Sequence, residues 1–409
     1  MRIYSIAILI FLFSTSAQAS ILSVGSGRQY STIQAAINAA SSGDTIEVYN
    51  GTYSNTTTVP SGTKSGWSAM AYIIGKNNLN IKSAEGNSPI IDGQNSSVIG
   101  IVVEQASGTT IDGFEIRNIN IANAPDRTAY IYMYTAANTT VRNNNIHGTG
   151  SFGGKTESAG GLYVNYNTHY LTVKNNKISV CGGTINGGGS VSITIEENML
   201  DSQSCSDGYP YYNIYLSQST NNLILRNNYI INSVNSAIRY RDSVNGQIYN
   251  NVFYKGQDRG ILLHDQGDNG NETENHQVYN NTIDGFQTGL FLQGQTNPTT
   301  KNNIIVNCNI GYTFAWGATT NMTNSYNFTY NVSTLHEDSD SGWVDNGNNK
   351  WGVDPKIVGS GDKPFPYYSL QSVSPAVGSG ASEFFISPII TSPAPSQKIP
   401  GSPTNLMIN

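Results

Sequence analysis

Charged side chains are scarce in this sequence of 409 residues: they make up 12% of it, with 21 basic residues against 27 acidic ones. Globular proteins carry about 25% charged residues, so Asn, Ser, Thr, Gly and Tyr must cover much of the surface. The net charge of −6 and the absence of a basic run argue against nucleic-acid binding. Stretches of strong helix formers are nearly absent too. The scarcity of charged residues and of helical stretches therefore favours a β-rich protein.

Cysteine is also rare. Cys181, Cys205 and Cys308 are too few for a disulfide framework, and their spacing is not that of paired metal ligands. The repeat described below puts Cys181 and Cys205 on adjacent coils, which allows one disulfide. We expect Cys308 to be buried and free.

No apolar run approaches the length of about 18 residues that suggests a transmembrane helix. The apolar segment 6–13 is far shorter; it follows Arg2 and precedes Ala17-Gln18-Ala19, a small-x-small cleavage pattern. Residues 1–19 are therefore predicted to be a secretory signal peptide. We expect the mature protein to be periplasmic, extracellular or on the cell surface, without a membrane span.

One motif, apolar-x-Asn-Asn-x-apolar, recurs along the chain. It occupies residues 141–146, 173–178, 225–230, 248–253 and 278–283, with weaker copies at 195–200 and 300–305. The second Asn falls at Asn144, Asn176, Asn198, Asn228, Asn251, Asn281 and Asn303, at intervals of 22 or 23 or of 30 to 32 residues. The shorter interval fits one turn of a three-sided β-helix, and the longer one adds an external loop. Coils would stack about 4.8 Å apart, so the Asn side chains would form a ladder.

A second pattern, apolar-x-apolar, precedes most of these Asn pairs by ten or eleven residues. It occupies residues 161–165, 213–217, 237–241, 260–264 and 289–293. Strand alternation turns the apolar pair inward and the intervening residues outward. A β-sandwich with Asn-rich turns is the alternative, but it gives no reason for one spacing. We predict an all-β fold, a parallel β-helix in the form of a three-sided solenoid with roughly ten to twelve coils.

The two ends of the chain agree with this fold. Residues 31–40 form an amphipathic helix that would cover the exposed first coil. This start resembles that of secreted right-handed parallel β-helix proteins of the pectin-lyase-like superfamily, and residues 354–376 resemble their closing segment. The resemblance implies one domain over residues 20–385, with the closing segment at about 320–385. The Pro-rich residues 386–409 are interpreted as a tail or linker.

Outward residues of successive coils stack into columns, which brings distant positions together. One predicted column contains Ile131, Tyr163, Asn186, Tyr215, Arg239, Leu262 and Phe291. The next contains Met133, Asn165, Gly188, Ser217, Arg241, His264 and Gln293. Tyr215, Arg239, Arg241 and His264 would thus lie on three consecutive coils. Two adjacent arginines repel each other unless an anion lies between them, so this cluster is the predicted catalytic site.

The resemblance implies a carbohydrate-active protein, although this fold also supports hydrolases, epimerases and adhesive surfaces. An acidic polysaccharide that contains uronate could be cleaved by β-elimination if its carboxylate were neutralised. Arg239 and Arg241 would bind the carboxylate, His264 would abstract the proton and Tyr215 would protonate the leaving oxygen. Tyr163, Asn165, Phe291 and Gln293 would bind the substrate. We expect an extracellular polysaccharide as the partner and a monomeric protein.

Other interpretations of the same residues remain open. Asp242 and Asp265 would bind calcium through oxygen ligands, or would act as the acid and base of a glycoside hydrolase. They would otherwise be turn residues, with Arg239 paired to Asp242 or Asp258 and His264 to Asp265 on a solvated face. A non-catalytic glycan-binding or adhesive β-helix is the main alternative to a lyase.

Overall fold

The structure is a computed structural model that describes residues 18–96, 98–120, 128–148, 159–203, 212–266, 273–358 and 368–381. The described chain forms 36 strands and one helix. The strands make three sheets of twelve strands each, and eleven successive coils, from Thr45 to Asp338, pass through all three sheets. This architecture confirms the predicted three-sided solenoid and its number of coils.

We name the sheets A, B and C in the order in which each coil passes through them. Sheet A contains Ile21–Val24, Thr45–Val48, Asn80–Ser83, Thr110–Asp112, Thr140–Arg142, Thr172–Lys174, Thr194–Glu196, Ile224–Arg226, Gln247–Tyr249, Gln277–Tyr279, Thr299–Lys301 and Thr323–Ser325. Sheet B contains Thr52–Tyr53, Ile90–Asp92, Glu115–Arg117, Asn145–Gly148, Lys177–Cys181, Met199–Gln203, Tyr229–Ile231, Val252–Tyr254, Thr282–Asp284, Ile304–Val306, Phe328–Tyr330 and Lys350–Trp351. Sheet C contains Thr57–Thr58, Ser68–Ile74, Ile99–Glu104, Thr128–Tyr134, Ala159–Asn165, Gly183–Gly188, Ile214–Ser217, Ile238–Arg241, Arg259–His264, Thr288–Gln293, Ile310–Phe314 and Thr334–Asp338.

The strands pair in register because each one buries the same kind of side chain. In sheet A, Val141 pairs with Val173, and Val173 pairs with Ile195. All three side chains are fully buried in the interior of the solenoid. A slip by one residue would expose them, and each buried aliphatic side chain stabilises the fold by about 1.5–3 kcal/mol. Among the described strands, only Thr57–Thr58 and Ser68–Ile74 pair in antiparallel orientation.

A ladder of Asn side chains runs along the corner between sheets A and B. Asn144 Nδ2 and the backbone N of Asn144 both donate to Asn176 Oδ1 across 3.0 Å. The ladder continues from coil to coil through Asn198, Asn228, Asn251, Asn281, Asn303, Asn327 and Asn349. The predicted ladder is therefore confirmed, and it extends two coils beyond the last predicted Asn.

The first Asn of each pair has a different task. Its φ lies between 53° and 57° at Asn143, Asn175, Asn227, Asn250 and Asn280. Asn is one of the few residues other than Gly that adopts this left-handed conformation readily. The first Asn therefore makes the turn between the sheets, and the second Asn fastens that turn to the next coil.

The helix α1, Ile33–Ala39, lies near the N-terminal end of the solenoid and is slightly shorter than predicted. The Thr32 side chain caps it by accepting from Ala35 N, and Ile33, Ala36 and Ile37 are buried. No helix in the described part of the chain has the length and apolar character needed to cross a membrane. The predicted signal peptide (1–19) and tail (386–409) lie outside the described residues, apart from residues 18 and 19.

Two cysteine predictions concern the described residues. Cys181 takes part in a disulfide, and Cys205, its predicted partner, lies outside the described residues. Cys308 is buried and free, as expected, and burial raises the pKa of its thiol to about 12.

Candidate functional site

The outward face of sheet C carries the predicted columns, with one correction. On the strand Thr128–Tyr134, Tyr132 pairs with Tyr163, so Tyr132 belongs to the first column in place of Ile131. Tyr134 likewise pairs with Asn165 and replaces Met133. Ile131 and Met133 are fully buried in the core. The predicted columns were therefore shifted by one residue on this strand. Its aliphatic side chains at Ile131 and Met133 point inward, and Tyr132 and Tyr134 take the outward positions.

From Asn186 onward the two columns lie as predicted. In the first, Tyr215 pairs with Arg239, Arg239 with Leu262, and Leu262 with Phe291. In the second, Arg241 pairs with His264 and His264 with Gln293. The four predicted catalytic residues therefore meet on three neighbouring coils. We call Tyr212, Tyr215, Arg239, Arg241 and His264 the arginine cluster.

Arg239 lies at the centre of the cluster. Its Nε donates to His264 Nδ1 across 3.1 Å, and one terminal nitrogen donates to the Tyr212 hydroxyl across 3.0 Å. The guanidinium carbon lies 5.0 Å from the centroid of the Tyr215 ring, which is within the range of a cation–π interaction. Among the described residues, Arg239 thus contacts an imidazole and two aromatic rings.

Arg241 has a carboxylate partner in this cluster. Its Nε lies 2.7 Å from Asp242 Oδ2, and its side chain is 14% exposed against 2% for Asp242. A terminal nitrogen of Arg241 also donates to the Tyr215 hydroxyl across 3.2 Å. The other Asp242 oxygen accepts from the backbone N of Gln266 across 2.9 Å. The Asp242 carboxylate is therefore engaged on both oxygens inside the protein.

His264 is neutral in this environment. Burial, together with the positive charges of Arg239, Arg241 and Arg259, lowers its pKa to about 4, although Asp242 opposes the shift. Because Nδ1 accepts from Arg239, the neutral ring carries its proton on Nε2. His264 is thus placed to donate a hydrogen bond to a ligand. The predicted role of proton abstraction does not fit this arrangement, since the nitrogen with the lone pair is occupied.

The four predicted substrate-binding residues lie on sheet C, but all are well buried. Tyr163 stacks on Tyr132 with ring centroids 5.9 Å apart, and Asn165 Oδ1 accepts from Tyr166 N. Gln293 Nε2 donates to the backbone oxygen of Asp265 across 2.7 Å. Exposure is 4% for Asn165, 5% for Phe291, 6% for Tyr163 and 7% for Gln293. These side chains therefore pack against other parts of the protein and expose little surface to a sugar ring.

Calcium binding at Asp242 and Asp265 receives no support from the geometry. Within the described residues, no group of three His, Cys, Asp or Glu side chains converges as metal ligands do. The pairing of Asp242 with Arg241 and Gln266 also leaves it poorly placed as the acid or base of a hydrolase.

Three residues that extend this site were missed in the sequence. Tyr212 precedes the strand Ile214–Ser217, Arg259 begins the strand Arg259–His264, and Trp316 follows the strand Ile310–Phe314. Arg259 pairs with Asp258 across 2.6 Å. Tyr212 and Arg259 come directly before the apolar-x-apolar patterns at 213–217 and 260–264, and Trp316 lies beyond the last of these patterns, at 289–293. An aromatic or basic residue flanking such a pattern is the signal that would have identified Tyr212 and Arg259.

Comparison with known proteins agrees with the architecture. A family model described as "Right handed beta helix region" matches residues 77–269, whereas no curated protein sequence matches the chain. Among solved structures, the A-module of mannuronan C-5 epimerase AlgE6 from Azotobacter vinelandii is similar with a TM-score of 0.54 and 14% identity, over 79% of this chain and 94% of that chain. Pectate lyase Pel9A also gives a TM-score of 0.54 and 14% identity, over 94% of this chain and 96% of that chain. Three sheets of twelve strands each, together with these matches, show that this chain has the right-handed parallel β-helix fold.

Proposed function

We propose that this protein is a polysaccharide lyase, which cleaves an acidic polysaccharide containing uronate by β-elimination at the arginine cluster. The observation that carries the proposal is the convergence of Arg239 and Arg241 on a neutral His264 and two tyrosine hydroxyls. The names of the two similar structures, a mannuronan epimerase and a pectate lyase, support a uronate polymer as the substrate class.

The first task of such a site is to neutralise the uronate carboxylate. A guanidinium has five N–H donors, so Arg239 and Arg241 can donate to a ligand beside the contacts they make within the protein. His264 Nε2 would add a neutral donor. Donors fixed in position before the substrate arrives stabilise the negative charge that develops when the neighbouring ring carbon loses its proton.

The second task is proton transfer, which we assign to the tyrosine hydroxyls. The Tyr215 hydroxyl accepts from Arg241 and the Tyr212 hydroxyl from Arg239. Acting as the base, one of these residues would enter the reaction as a phenolate and accept the ring proton. The same hydroxyl would then protonate the oxygen of the leaving sugar. In this scheme Tyr215, or Tyr212 beside it, acts as base and acid, while His264 binds and orients the carboxylate.

The test is to incubate the protein with alginate, pectate and glycosaminoglycans and follow the ultraviolet absorbance of the unsaturated product. We expect absorbance with at least one polymer, and its loss in Arg239→Ala. Tyr215→Phe and Tyr212→Phe, compared side by side, identify the proton carrier as the one that loses activity. Arg142→Ala is the matched control, because Arg142 forms an exposed ion pair with Asp112 on sheet A.

Other results would point to other functions. New reducing ends without absorbance would indicate hydrolysis. A changed uronate composition without chain cleavage would indicate epimerisation, and binding without any chemical change would indicate a glycan-binding surface. Full activity in Arg239→Ala and in both tyrosine variants would refute this site.

We also propose that the protein acts outside the cytoplasm as a monomer after removal of residues 1–19. The support is the pattern of residues 1–19, in which Arg2 and an apolar segment precede Ala17-Gln18-Ala19. N-terminal sequencing of the exported protein should begin at Ser20, and light scattering should give the mass of one chain. Retention of Met1 in the exported protein would contradict the proposed cleavage.

A further inference from the structure

An exposed aromatic surface lies beside the arginine cluster on sheet C. Trp316 is 62% exposed, whereas Phe291 is 5% exposed. Their ring centroids are 5.1 Å apart, with a tilt of 39°. We call Trp316, Phe291 and Arg259 the Trp316 platform. An indole that rests on a buried ring is held in place, so its exposed surface is a preformed apolar contact area.

Arg259, the third residue of the Trp316 platform, supplies a positive charge at the edge of this surface. The Arg259 guanidinium carbon lies 4.7 Å from the Phe291 centroid and 5.7 Å from the Trp316 centroid. One terminal nitrogen pairs with Asp258, and a guanidinium has four other N–H groups in its fork. The platform thus combines a flat apolar area with a cation suited to a carboxylate.

The strand register places this platform next to the arginine cluster. Leu262 pairs with Phe291 and His264 pairs with Gln293, so Phe291 lies one coil beyond His264. Neighbouring strands are about 4.8 Å apart. The positive charge of Arg259 also reaches His264, since it is among the causes of the low pKa of that imidazole. A polymer that extends along the solenoid axis from His264 would therefore meet Trp316 next.

We propose that the Trp316 platform is a second sugar-binding subsite, which holds the uronate ring next to the one bound at the arginine cluster. The indole contacts the C–H face of that ring, and Arg259 attracts its carboxylate. The identity of the polymer rests on the proposed function, but the subsite itself is a binding site and does not require that the chain be cleaved.

Binding is measured by calorimetry with saturated trimers of mannuronate and of galacturonate. All variants are made in the Tyr212→Phe/Tyr215→Phe background, which lacks both proposed proton carriers, so that turnover does not deplete the ligand. We expect Trp316→Ala to weaken binding by about tenfold, equivalent to about 1.4 kcal/mol, and Trp316→Phe to weaken it by less than about threefold because a flat ring remains. Trp67→Ala removes another partly exposed indole, at 39% exposure, and should leave the affinity unchanged.

A spectroscopic readout separates contact with the indole from a general effect on the fold. Tryptophan fluorescence of the parent protein should change when the trimer is added. Trp316→Phe should remove this change while calorimetry still detects binding. In the active protein, Trp316→Ala should raise KM for the polymer and leave kcat nearly unchanged, because the residue touches a ring that does not react.

The possible failures are distinguishable. If no polymer is cleaved but Trp316→Ala weakens trimer binding, the lyase proposal fails and the subsite stands. If a polymer is cleaved but Trp316→Ala leaves both KM and trimer affinity unchanged, the subsite is wrong and the lyase stands. Failure of the parent protein to bind either trimer would also overturn the subsite.

Discussion

Arg239 Nε and His264 Nδ1 are 3.1 Å apart on neighbouring coils, so a guanidinium donates a hydrogen bond to an imidazole that it would repel as a cation. This pair fixes the tautomer of His264, and burial together with the neighbouring positive charges keeps the ring neutral by lowering its pKa. The arginine cluster therefore presents two guanidinium groups and one neutral hydrogen-bond donor on the same face of sheet C.

The first prediction concerns the pH dependence of the proposed cleavage. With the pKa of His264 lowered to about 4, the imidazole stays neutral and bound to Arg239 throughout the neutral range. We expect His264 to affect the acid side of the kcat/KM profile only near pH 4, separately from any limb set by the tyrosine that acts as base. A limb near pH 6.5, the ordinary pKa of His, that is lost in His264→Gln would contradict this environment.

Two variants separate this limb from titration of the substrate. Arg239→Lys keeps a positive charge, whereas Arg239→Gln removes it, so the pKa of His264 should rise more in Arg239→Gln. NMR titration of the ring in both variants measures this directly. His264→Gln has no imidazole, so any limb that persists in it belongs to the substrate or to another group.

The second prediction concerns the stability that the ion pair between Arg241 and Asp242 contributes. Arg241 is the ion-pair partner of Asp242, whose side chain is 2% exposed. Removal of one partner from a buried pair costs about 3–5 kcal/mol, because the other charge stays buried without compensation. We expect Arg241→Ala to lower the free energy of unfolding by an amount approaching this range, and Arg142→Ala, which removes an exposed ion pair with Asp112, to lower it by less than about 1 kcal/mol.

The double variant Arg241→Ala/Asp242→Asn provides the control. The amide introduced by Asp242→Asn would keep an oxygen for the backbone N of Gln266 but would carry no charge. Urea unfolding should therefore show part of the stability restored relative to Arg241→Ala alone. Equal losses in Arg241→Ala and Arg142→Ala would show that the pair with Asp242 contributes little.

The third prediction distinguishes the two residues of an Asn pair. Asn251 Nδ2 donates to Leu225 O and Asn281 Oδ1, and Asn251 Oδ1 accepts from Asn228. Buried groups left without a partner cost about 1–3 kcal/mol each, so Asn251→Gly should destabilise by about 3 kcal/mol or more. Asn250 has a φ of 54°, and Gly adopts that conformation freely, so Asn250→Gly should cost less than about 1 kcal/mol.

Asn250→Ala completes this comparison, because Ala in the left-handed region costs about 1–2 kcal/mol. Urea unfolding should rank the losses as Asn251→Gly, then Asn250→Ala, then Asn250→Gly. The same loss for both glycine variants would mean that the ladder and the turn are not separate functions.

The sequence predicted the solenoid because its register depends on simple repetition. Burial of Val141, Val173 and their counterparts sets the inward positions, and Asn144 and Asn176 mark the corner once per coil. The outward columns follow from alternation, so Arg239, Arg241 and His264 were placed together correctly. On the strand Thr128–Tyr134 nearly every residue is apolar or aromatic, and there the same reasoning chose the wrong face.

The contacts that the site residues make with one another were not predictable in the same way. They depend on the conformation of the turns that follow the strands. Asp242 has a φ of 48° at the end of its strand, where its carboxylate meets Arg241. Trp316 has a φ of 60° and lies beyond the end of its strand, against Phe291 of the preceding coil. A pattern of period two carries no information about these conformations, so the ion pair and the platform emerge only from the folded chain.

The last prediction concerns acid stability and a different histidine. His276 is 1% exposed, its Nδ1 accepts from the backbone N of Gly246 across 2.9 Å, and burial lowers its pKa to about 4. In the unfolded chain the pKa returns to about 6.5. Between these two values the unfolded state binds more protons, so the free energy of unfolding must fall as the pH falls.

His264 contributes to the same window for the same reason. The slope from one such group is at most about 1.4 kcal/mol per pH unit. His276→Gln keeps an oxygen that can accept from Gly246 N and removes the titration. Urea unfolding at pH 7 and pH 5 should therefore show a smaller loss of stability in His276→Gln than in the parent protein. An equal loss in both would mean that His276 is not buried as a neutral ring, since a ring with its ordinary pKa leaves the pH dependence unchanged when it is replaced.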